Sequence, residues 1–308
     1  MKKTVFIDGA VGTTGLRIHE RLASRADIDL IILSEEKRKD PSARREALNA
    51  ADIAFLCLPD AAAVEAVSMI ENNRTAVIDT STAHRTAPGW AYGFPELVGR
   101  REAIAASCRI ANPGCHATGF IALVEPLRRA GVLLRDASLS AFSITGYSGG
   151  GKKMIAEYEA EGRDPLFDAP RQYGIGQTHK HLPEMRVIAD IEKAPVFCPI
   201  VAPFYSGMEV TVPLHASDVK ASVEELLALY RAYYQDGLVR VADETSEGGF
   251  LSAASFSGRD DLEICVYGND ERLILVARFD NLGKGASGAA IQNMNILLGA
   301  DEATGLCV

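Results

Sequence analysis

Thr4-Val5-Phe6-Ile7-Asp8-Gly9-Ala10-Val11-Gly12-Thr13-Thr14-Gly15 opens the chain with a β-rich apolar run that breaks into a glycine turn. A helical pattern continues through Leu16, Ile18, His19, Leu22 and Ala23, in which His19 reads as a surface residue. Strand, glycine turn and helix in this order make a cradle for a pyrophosphate. Glycine permits close backbone approach, and the unpaired N–H groups of the helix start face the anion. The spacing is GxxGxxG and not GxGxxG, so a tight turn without a ligand is the alternative reading of the stretch by itself.

The pattern from residue 29 to residue 115 supports the cradle. Strands are expected at residues 29–33, 53–58, 76–79 and 108–111, with a helix at 61–70. Strands joined by helices imply a parallel, doubly wound sheet with ligands at the C-terminal ends of its strands. The glycine turn, Thr80-Ser81-Thr82 and Cys115 all come after such ends and are expected to face one crevice. The second strand runs into Leu33-Ser34-Glu35-Glu36-Lys37-Arg38. An acid about twenty residues past the glycines suits the free ribose 2′-hydroxyl of NAD. Ser34 with Lys37 and Arg38 suits the 2′-phosphate of NADP instead, and a solvated loop is the third reading. The residues alone leave this open.

The strand at 108–111 leads into Asn112-Pro113-Gly114-Cys115-His116-Ala117-Thr118-Gly119, after which Phe120, Leu123, Val124 and Leu127 repeat at helical spacing. Cys115 is therefore expected at a helix N-terminus, where unpaired amides and the helix dipole favour a thiolate. Gly114 and Gly119 are expected to leave the backbone approachable, which suits a covalent nucleophile. A buried structural cysteine is an equal reading on local sequence.

The 308 residues carry a net charge of −9 without a basic run, which argues against nucleic acid or an anionic membrane as partner. Apolar content of 47% with 24% charged residues is that of a globular protein able to bury a large core. No apolar run reaches bilayer-spanning length and the start lacks a signal-peptide core, so a cytoplasmic protein is expected. The six cysteines are scattered without CxxC pairs, which suggests neither a zinc site nor a disulfide framework. Cys57 and Cys265 read as core strand residues.

Beyond the cysteine helix the pattern changes. A strand at 138–145 leads into the glycine-rich run 146–153, expected as a flexible loop that closes over a substrate or serves as a linker. Strands are expected at 196–201 and 208–215, a helix at 223–234, and a hairpin of 262–267 with 273–279. The last helix pattern, 285–298, is expected to pack on the first domain. The reading is an α/β dinucleotide-binding domain over residues 1–115 and 282–308, with an inserted α+β domain over 116–281.

Six motifs occur in a fixed order: Gly9-x-x-Gly12-x-x-Gly15, Asp79-Thr80-Ser81-Thr82-Ala83-His84-Arg85, Tyr92-Gly93-Phe94-Pro95-Glu96-Leu97, Asn112-Pro113-Gly114-Cys115, His179-Lys180-His181-Leu182-Pro183-Glu184 and Asn281-Leu282-Gly283-Lys284-Gly285. Together they resemble the N-acetyl-gamma-glutamyl-phosphate reductases of the shorter form (type 2). That family is related to aspartate-semialdehyde dehydrogenase and, more distantly, to glyceraldehyde-3-phosphate dehydrogenase. The match runs over nearly the whole chain. It departs from the family at His116, where an aromatic residue is frequent, and in the glycine content of residues 147–151. Thr82-Ala83-His84 stands where the longer form has Ser-Ala-Asp.

The resemblance implies a Rossmann-type sheet binding NADP (as NADPH), an inserted domain for substrate and dimerisation, and an association into dimers or tetramers. The implied reaction is reductive dephosphorylation of N-acetyl-L-glutamyl 5-phosphate in arginine biosynthesis, through a thioester on Cys115. His181 is the expected acid–base residue, with Glu184 orienting it. Arg85, His179, Glu184, Ser148 and Gly149 are expected to bind substrate, and Arg85 suits a carboxylate or phosphate. Gly9, Gly12, Thr13, Thr14, Gly15, Ser34, Ser81, Asn281 and Gly285 are expected to hold the dinucleotide. His84 and His116 lie near the site in sequence, while His215 reads as structural. No metal is expected. The rival readings are reduction of another acyl phosphate such as a β-aspartyl phosphate, a regulatory dinucleotide-binding module with an inert Cys115, and a cysteine hydrolase.

Overall fold

The computed structural model describes residues 2–242 and 247–308. The chain divides into two compact units, Met1–Pro113 with Ala286–Leu306, and Gly114–Gly285 with Cys307–Val308. The first unit runs β1 (Lys3–Asp8), α1 (Thr13–Ala23), β2 (Ile28–Ile31), α2 (Pro41–Ala50), β3 (Ile53–Leu56), α3 (Asp60–Ser68), β4 (Ala76–Asp79), β5 (Ala91–Tyr92), α4 (Arg100–Ala105) and β6 (Arg109–Ala111). Among the described residues its six strands pair in the order β2-β1-β3-β4-β6-β5, each pair parallel.

Alternate residues of these strands feed two cores, which is why the strands read as continuous apolar runs. Val5, Ile7, Ile53, Phe55, Ile78 and Ile110 pack with Ile18 and Leu22 of α1 and with Ala290, Ile291 and Met294 of the C-terminal helix, Gly288–Leu298. Phe6, Ala54, Leu56 and Val77 meet Ala47 and Leu48 of α2 and Ala63 and Ala66 of α3. The sheet is doubly wound, as the βα alternation implies. β2 and β3 end two residues sooner than the apolar runs suggest, and α2, α4 and β5 were not foreseen. The start of α2 does carry a signal: Asp40 accepts from Ser42 N at 3.0 Å, and Pro41 takes the first helical position.

The second unit runs α5 (Cys115–Arg129), β7 (Ser140–Gly146), α6 (Gly151–Glu159), β8 (Arg171–Gln172), α7 (Leu182–Ile188), β9 (Val196–Ala202), β10 (Met208–His215), α8 (Val223–Tyr233), β11 (Val239–Val241), β12 (Leu262–Gly268) and β13 (Arg272–Phe279). Among the described residues its seven strands form one mixed sheet in the order β11-β12-β13-β10-β7-β9-β8. α5 is buried along nearly its whole length and lies against β10 and β13. A Cβ on Gly119 would stand 2.6 Å from Val210 Cγ2 and 2.8 Å from Phe279 Cε1. Gly119 thus seats the helix on the sheet and does not leave an approachable backbone, contrary to the sequence reading.

Pro126 lies inside α5 and donates no hydrogen bond to Ala122 O, four residues back. Tyr234 OH donates to that carbonyl at 2.8 Å, and Tyr230 OH to Leu123 O at 2.5 Å, so the helix keeps its buried acceptors satisfied.

The glycine-rich run 146–153 is not a flexible loop. Tyr147–Gly150 is a 3₁₀ turn that continues into α6. Tyr147 N and Ser148 N donate to Phe204 O and Tyr205 O at 2.9 and 3.0 Å, and Tyr147 stacks on Tyr158 with centroids 4.7 Å apart. Carbonyls of the β9–β10 connection and aromatic packing hold it in place despite its composition. The sheet face carrying Phe142, Val196 and Ile274 leaves these side chains 45%, 57% and 38% exposed. No helix among the described residues is long and apolar enough to cross a membrane.

Gly119→Ala should lower the unfolding free energy by about 1–3 kcal/mol, the usual cost of overpacking a close helix–sheet contact. Urea unfolding measures it, and an unchanged midpoint would show that α5 can move outward freely.

Candidate active site

Cys115 is the first residue of α5, and Gly114, its N-cap, offers no side-chain cap. The helix starts there because Pro113-Gly114 is extended and an apolar helical run comes next. Cys115 lines a cavity of about 190 Å³ together with His116, Thr145, Gly146, Gly149, Gly150, Tyr173, His179 and His181. The structure thus brings Cys115, His179, His181 and Gly149 together. Burial pushes the Cys57 thiol up to about 12 and keeps it protonated.

His181 is buried as the N-cap of α7, and its backbone N–H donates to His179 Nδ1 at 3.3 Å. The two rings meet edge to face with centroids 4.8 Å apart. Glu184, expected as the partner of His181, accepts from Gly114 N at 2.9 Å and so ties α7 to the residue before Cys115. Ser148 is buried, and its Oγ accepts from Asn281 Nδ2 at 3.0 Å. Asn281, expected on the dinucleotide, also accepts from Gly207 N at 2.9 Å, so both ends of its amide brace this unit from within. A Cβ on Gly285 would reach 2.9 Å from Cys115 Cβ. Its lack of a side chain makes room beside the thiol, a packing role that the sequence reading did not assign.

Three residues were missed. His116 Nδ1 lies 2.7 Å from Ser143 Oγ, and its Nε2 lies 2.6 Å from Tyr173 OH. Burial first, and the charge of His179 second, bring the His116 pKa down to about 3, so the ring is neutral. The Tyr173 hydroxyl is pushed above its usual range by burial and by the charge of Cys115. Nothing in local sequence pairs Tyr173 and Ser143 with His116, because β7 and the residue after β8 reach it only through the fold.

In the first unit, Arg85 is buried and donates through Nε to Asn112 O at 3.0 Å and through Nη2 to Thr80 O at 3.1 Å. It fastens two strand-end segments together, where the sequence suggested a substrate clamp. Ser81 Oγ donates to Asp79 Oδ2 at 2.7 Å, and His84 Nδ1 lies 2.6 Å from the same oxygen while its ring stacks on Trp90. The C-terminal helix joins the remaining motifs. Asn293 Nδ2 donates to Gly93 O and Asn112 Oδ1, and Gln292 Nε2 to Glu96 Oε1.

A cavity of about 560 Å³ opens at the glycine turn and is lined by Asp8–Val11, Leu16, His19, residues 30–33, Glu35, Arg38, Lys39 and Arg44 among others. Gly9 has φ of 90°, and a Cβ there would stand 2.3 Å from Cys57 O. One on Gly15 would stand 2.4 Å from Gly9 O, whereas one on Gly12 meets nothing nearer than 3.4 Å. Two glycines therefore close the turn, and the third keeps it open to a ligand. The start of α1 has no side-chain cap and no acid in its first turn, and Thr13 Oγ1 is buried without a hydrogen-bond partner. Thr14 stands beside it in the same half-buried turn. These uncapped amides and that hydroxyl fit the pyrophosphate of a dinucleotide. At the far end Ser34 lies outside the lining, with its carbonyl accepting from Lys37 N and Arg38 N at 3.0 Å. Arg38 and Lys39 line the cavity, and Lys37 does not. His19, read as a surface residue, lines it as well.

Comparison with known proteins agrees with this geometry. Residues 4–107 match the family model "Semialdehyde dehydrogenase, NAD binding domain", and residues 115–281 match "Semialdehyde dehydrogenase, dimerisation domain". An N-acetyl-gamma-glutamyl-phosphate reductase of Sinorhizobium medicae is 45% identical over 97% of this chain and 100% of its own length. One of Burkholderia lata is 46% identical over 97% of each. The crystal structure of aspartate semialdehyde dehydrogenase II from Vibrio cholerae shares the fold, with a TM-score of 0.73 at 18% identity over 97% of this chain and 98% of that one.

His116 also makes a pH prediction. Its folded pKa lies below the ordinary value of 6.5, so unfolding takes up a proton wherever the pH is below 6.5. Its contribution is complete above 6.5 and is lost as pH falls towards 3. At pH 5 the loss is about 2 kcal/mol. Urea unfolding of wild type and His116→Phe at pH 7 and pH 5 should show a fall smaller by that amount in the variant. Equal falls would mean that His116 is not held neutral.

Proposed function

This chain belongs to the semialdehyde dehydrogenase family, among the N-acetyl-gamma-glutamyl-phosphate reductases, and from that premise we propose that it converts N-acetyl-L-glutamyl 5-phosphate to N-acetyl-L-glutamate 5-semialdehyde with NADPH, a step of arginine biosynthesis. The observation that carries the reading is Cys115 at the first position of α5, in one cavity with His179 and His181.

The Cys115 thiolate attacks the acyl carbon, and phosphate leaves with the electron pair of the cleaved C–O bond. A thioester on Cys115 results. The nicotinamide dinucleotide, when bound, supplies hydride to this carbonyl carbon. His181 gives a proton to the oxygen and later takes it back as the C–S bond breaks, releasing aldehyde and thiolate. His179 binds substrate, Gly149 lines the cavity, and Ser148 braces that turn through Asn281. Glu184 acts on the backbone at Gly114 and so positions Cys115. Arg85 supports the site by holding Thr80 and Asn112.

Gly9, Gly12, Thr13, Thr14 and Gly15 would hold the pyrophosphate, and Ser81 would serve the nicotinamide. Arg38, joined by Lys39 in place of Ser34 and Lys37, reads the 2′-phosphate, because these two line the cavity. Residues 1–113 and 286–306 then serve the cofactor, and 114–285, which carry Cys115, serve catalysis and association. The apolar sheet face of Phe142, Val196 and Ile274 is where a second copy packs, in keeping with the dimerisation-domain match. Such a biosynthetic step takes place in the cytoplasm.

Cys115→Ser should abolish phosphate-dependent oxidation of the semialdehyde while leaving NADP binding intact, because an alcohol is a far weaker nucleophile at neutral pH. His181→Asn should still form the thioester but turn over roughly 10²–10⁴-fold more slowly. Turnover and covalent trapping decide both, and full activity in Cys115→Ser would end the covalent mechanism. In the cofactor test, replacing Arg38 and Lys39 by Ala should weaken NADP at least about tenfold more than NAD. Equal losses would mean that another group reads the phosphate.

A further inference from the structure

A neutral imidazole has one N–H and one lone pair, so of two hydroxyl neighbours one donates to it and one accepts from it. His116 has two such neighbours, Ser143 Oγ at Nδ1 and Tyr173 OH at Nε2. Ser143 is 0% exposed, and among the described residues its hydroxyl has no partner other than His116. Were Nδ1 to carry the hydrogen, the Ser143 O–H would be buried with no acceptor, a state that folded proteins avoid. The Ser143 hydroxyl therefore donates to Nδ1, and the ring hydrogen sits on Nε2. Nε2–H then donates to the Tyr173 oxygen, and the Tyr173 O–H is turned away from His116. Tyr173 lines the cavity with Cys115, His179 and His181, and its hydroxyl has no other partner among the described residues. Burial keeps that hydroxyl protonated. It remains a donor whose acceptor is not supplied by the described residues.

We propose that Ser143 and His116 are positioning residues that hold the Tyr173 hydroxyl as a hydrogen-bond donor to the acyl oxygen of the substrate on Cys115. That oxygen gains negative charge when the thiolate adds to the carbonyl, so a fixed donor stabilises the transition state more than the bound substrate. Preorganisation is the purpose of the buried pair. Without it the Tyr173 proton is free to turn towards His116 and leave the oxygen unassisted. The inference rests on Cys115 being the acylated residue.

The test measures kcat and KM for phosphate-dependent oxidation of N-acetyl-glutamate semialdehyde, with NADP affinity as a check on folding. Tyr173→Phe and His116→Phe should each lower kcat roughly 10–10³-fold, the range for one lost oxyanion donor, with KM within about threefold. The double variant should be no slower than the slower single, because both remove one donor. His116→Gln, whose side-chain amide can donate to Tyr173, should recover at least about tenfold over His116→Phe; a purely structural role would not give this recovery. Should the His116 variants fail to fold, Tyr173→Phe and Ser143→Ala carry the same comparison: Ser143→Ala should lower kcat in wild type and have no effect in Tyr173→Phe. Tyr173→Phe turning over within about twofold of wild type overturns the relay, as do fully multiplicative losses in the double variants. A wild-type protein without the reductase activity overturns the proposed function itself, and is thereby told apart from failure of the relay.

Discussion

The seating of α5 on the second sheet is the constraint on which the catalytic cavity depends. Gly119 brings the helix so close to Val210 and Phe279 that no side chain fits between. With the axis fixed there, the first turn has one place to be, and Cys115 and His116 go with it. Leu123, Val124 and Leu127 bury the rest of the helix, so its start is held by the burial of its whole length. The break that Pro126 makes in the backbone ladder is closed from α8 and the residue after it, through Tyr230 and Tyr234.

A buried helix start leaves unpaired N–H groups, and their treatment here is selective. Glu184 takes the amide of Gly114, one residue before the thiol, while the cap position itself contributes no side chain. The amides of the first turn and their partial positive charge are thus left to act on Cys115. The Glu184 carboxylate meets the backbone just ahead of the thiol. Its value lies in geometry: it ties α7, and with it His181, to the chain that enters α5.

The cofactor-binding unit works by omission of side chains. Gly9 and Gly15 remove Cβ atoms that would strike Cys57 O and Gly9 O, and the turn closes tightly enough to present the start of α1. The C-terminal helix then does for the strand ends what α5 does for the cysteine. Asn293 bridges Gly93 and Asn112, and Gln292 meets Glu96, so motifs far apart in sequence are fastened to one helix. Arg85 belongs to the same scheme, with two nitrogens on backbone carbonyls.

By itself the sequence determined the parallel, doubly wound sheet, the glycine cradle and the position of Cys115 at a helix start. These are properties of period and punctuation, written within a few residues of one another: apolar runs broken by glycine, and Pro-Gly before a helical repeat. Tertiary structure alone decided what polar side chains do. Glu184 meets Gly114, Asn281 meets Ser148 and Gly207, and Arg85 meets Asn112, each tens to more than a hundred residues away, and no local pattern encodes such pairs. The glycine-rich run 146–153 is the clearest case, since its composition says loop, while carbonyls of the β9–β10 connection and a stacked tyrosine make it a turn leading into a helix. The same holds for His116, which sequence placed beside the cysteine. Only the fold, by bringing a fully buried serine to one nitrogen and a tyrosine to the other, determined which nitrogen carries the proton.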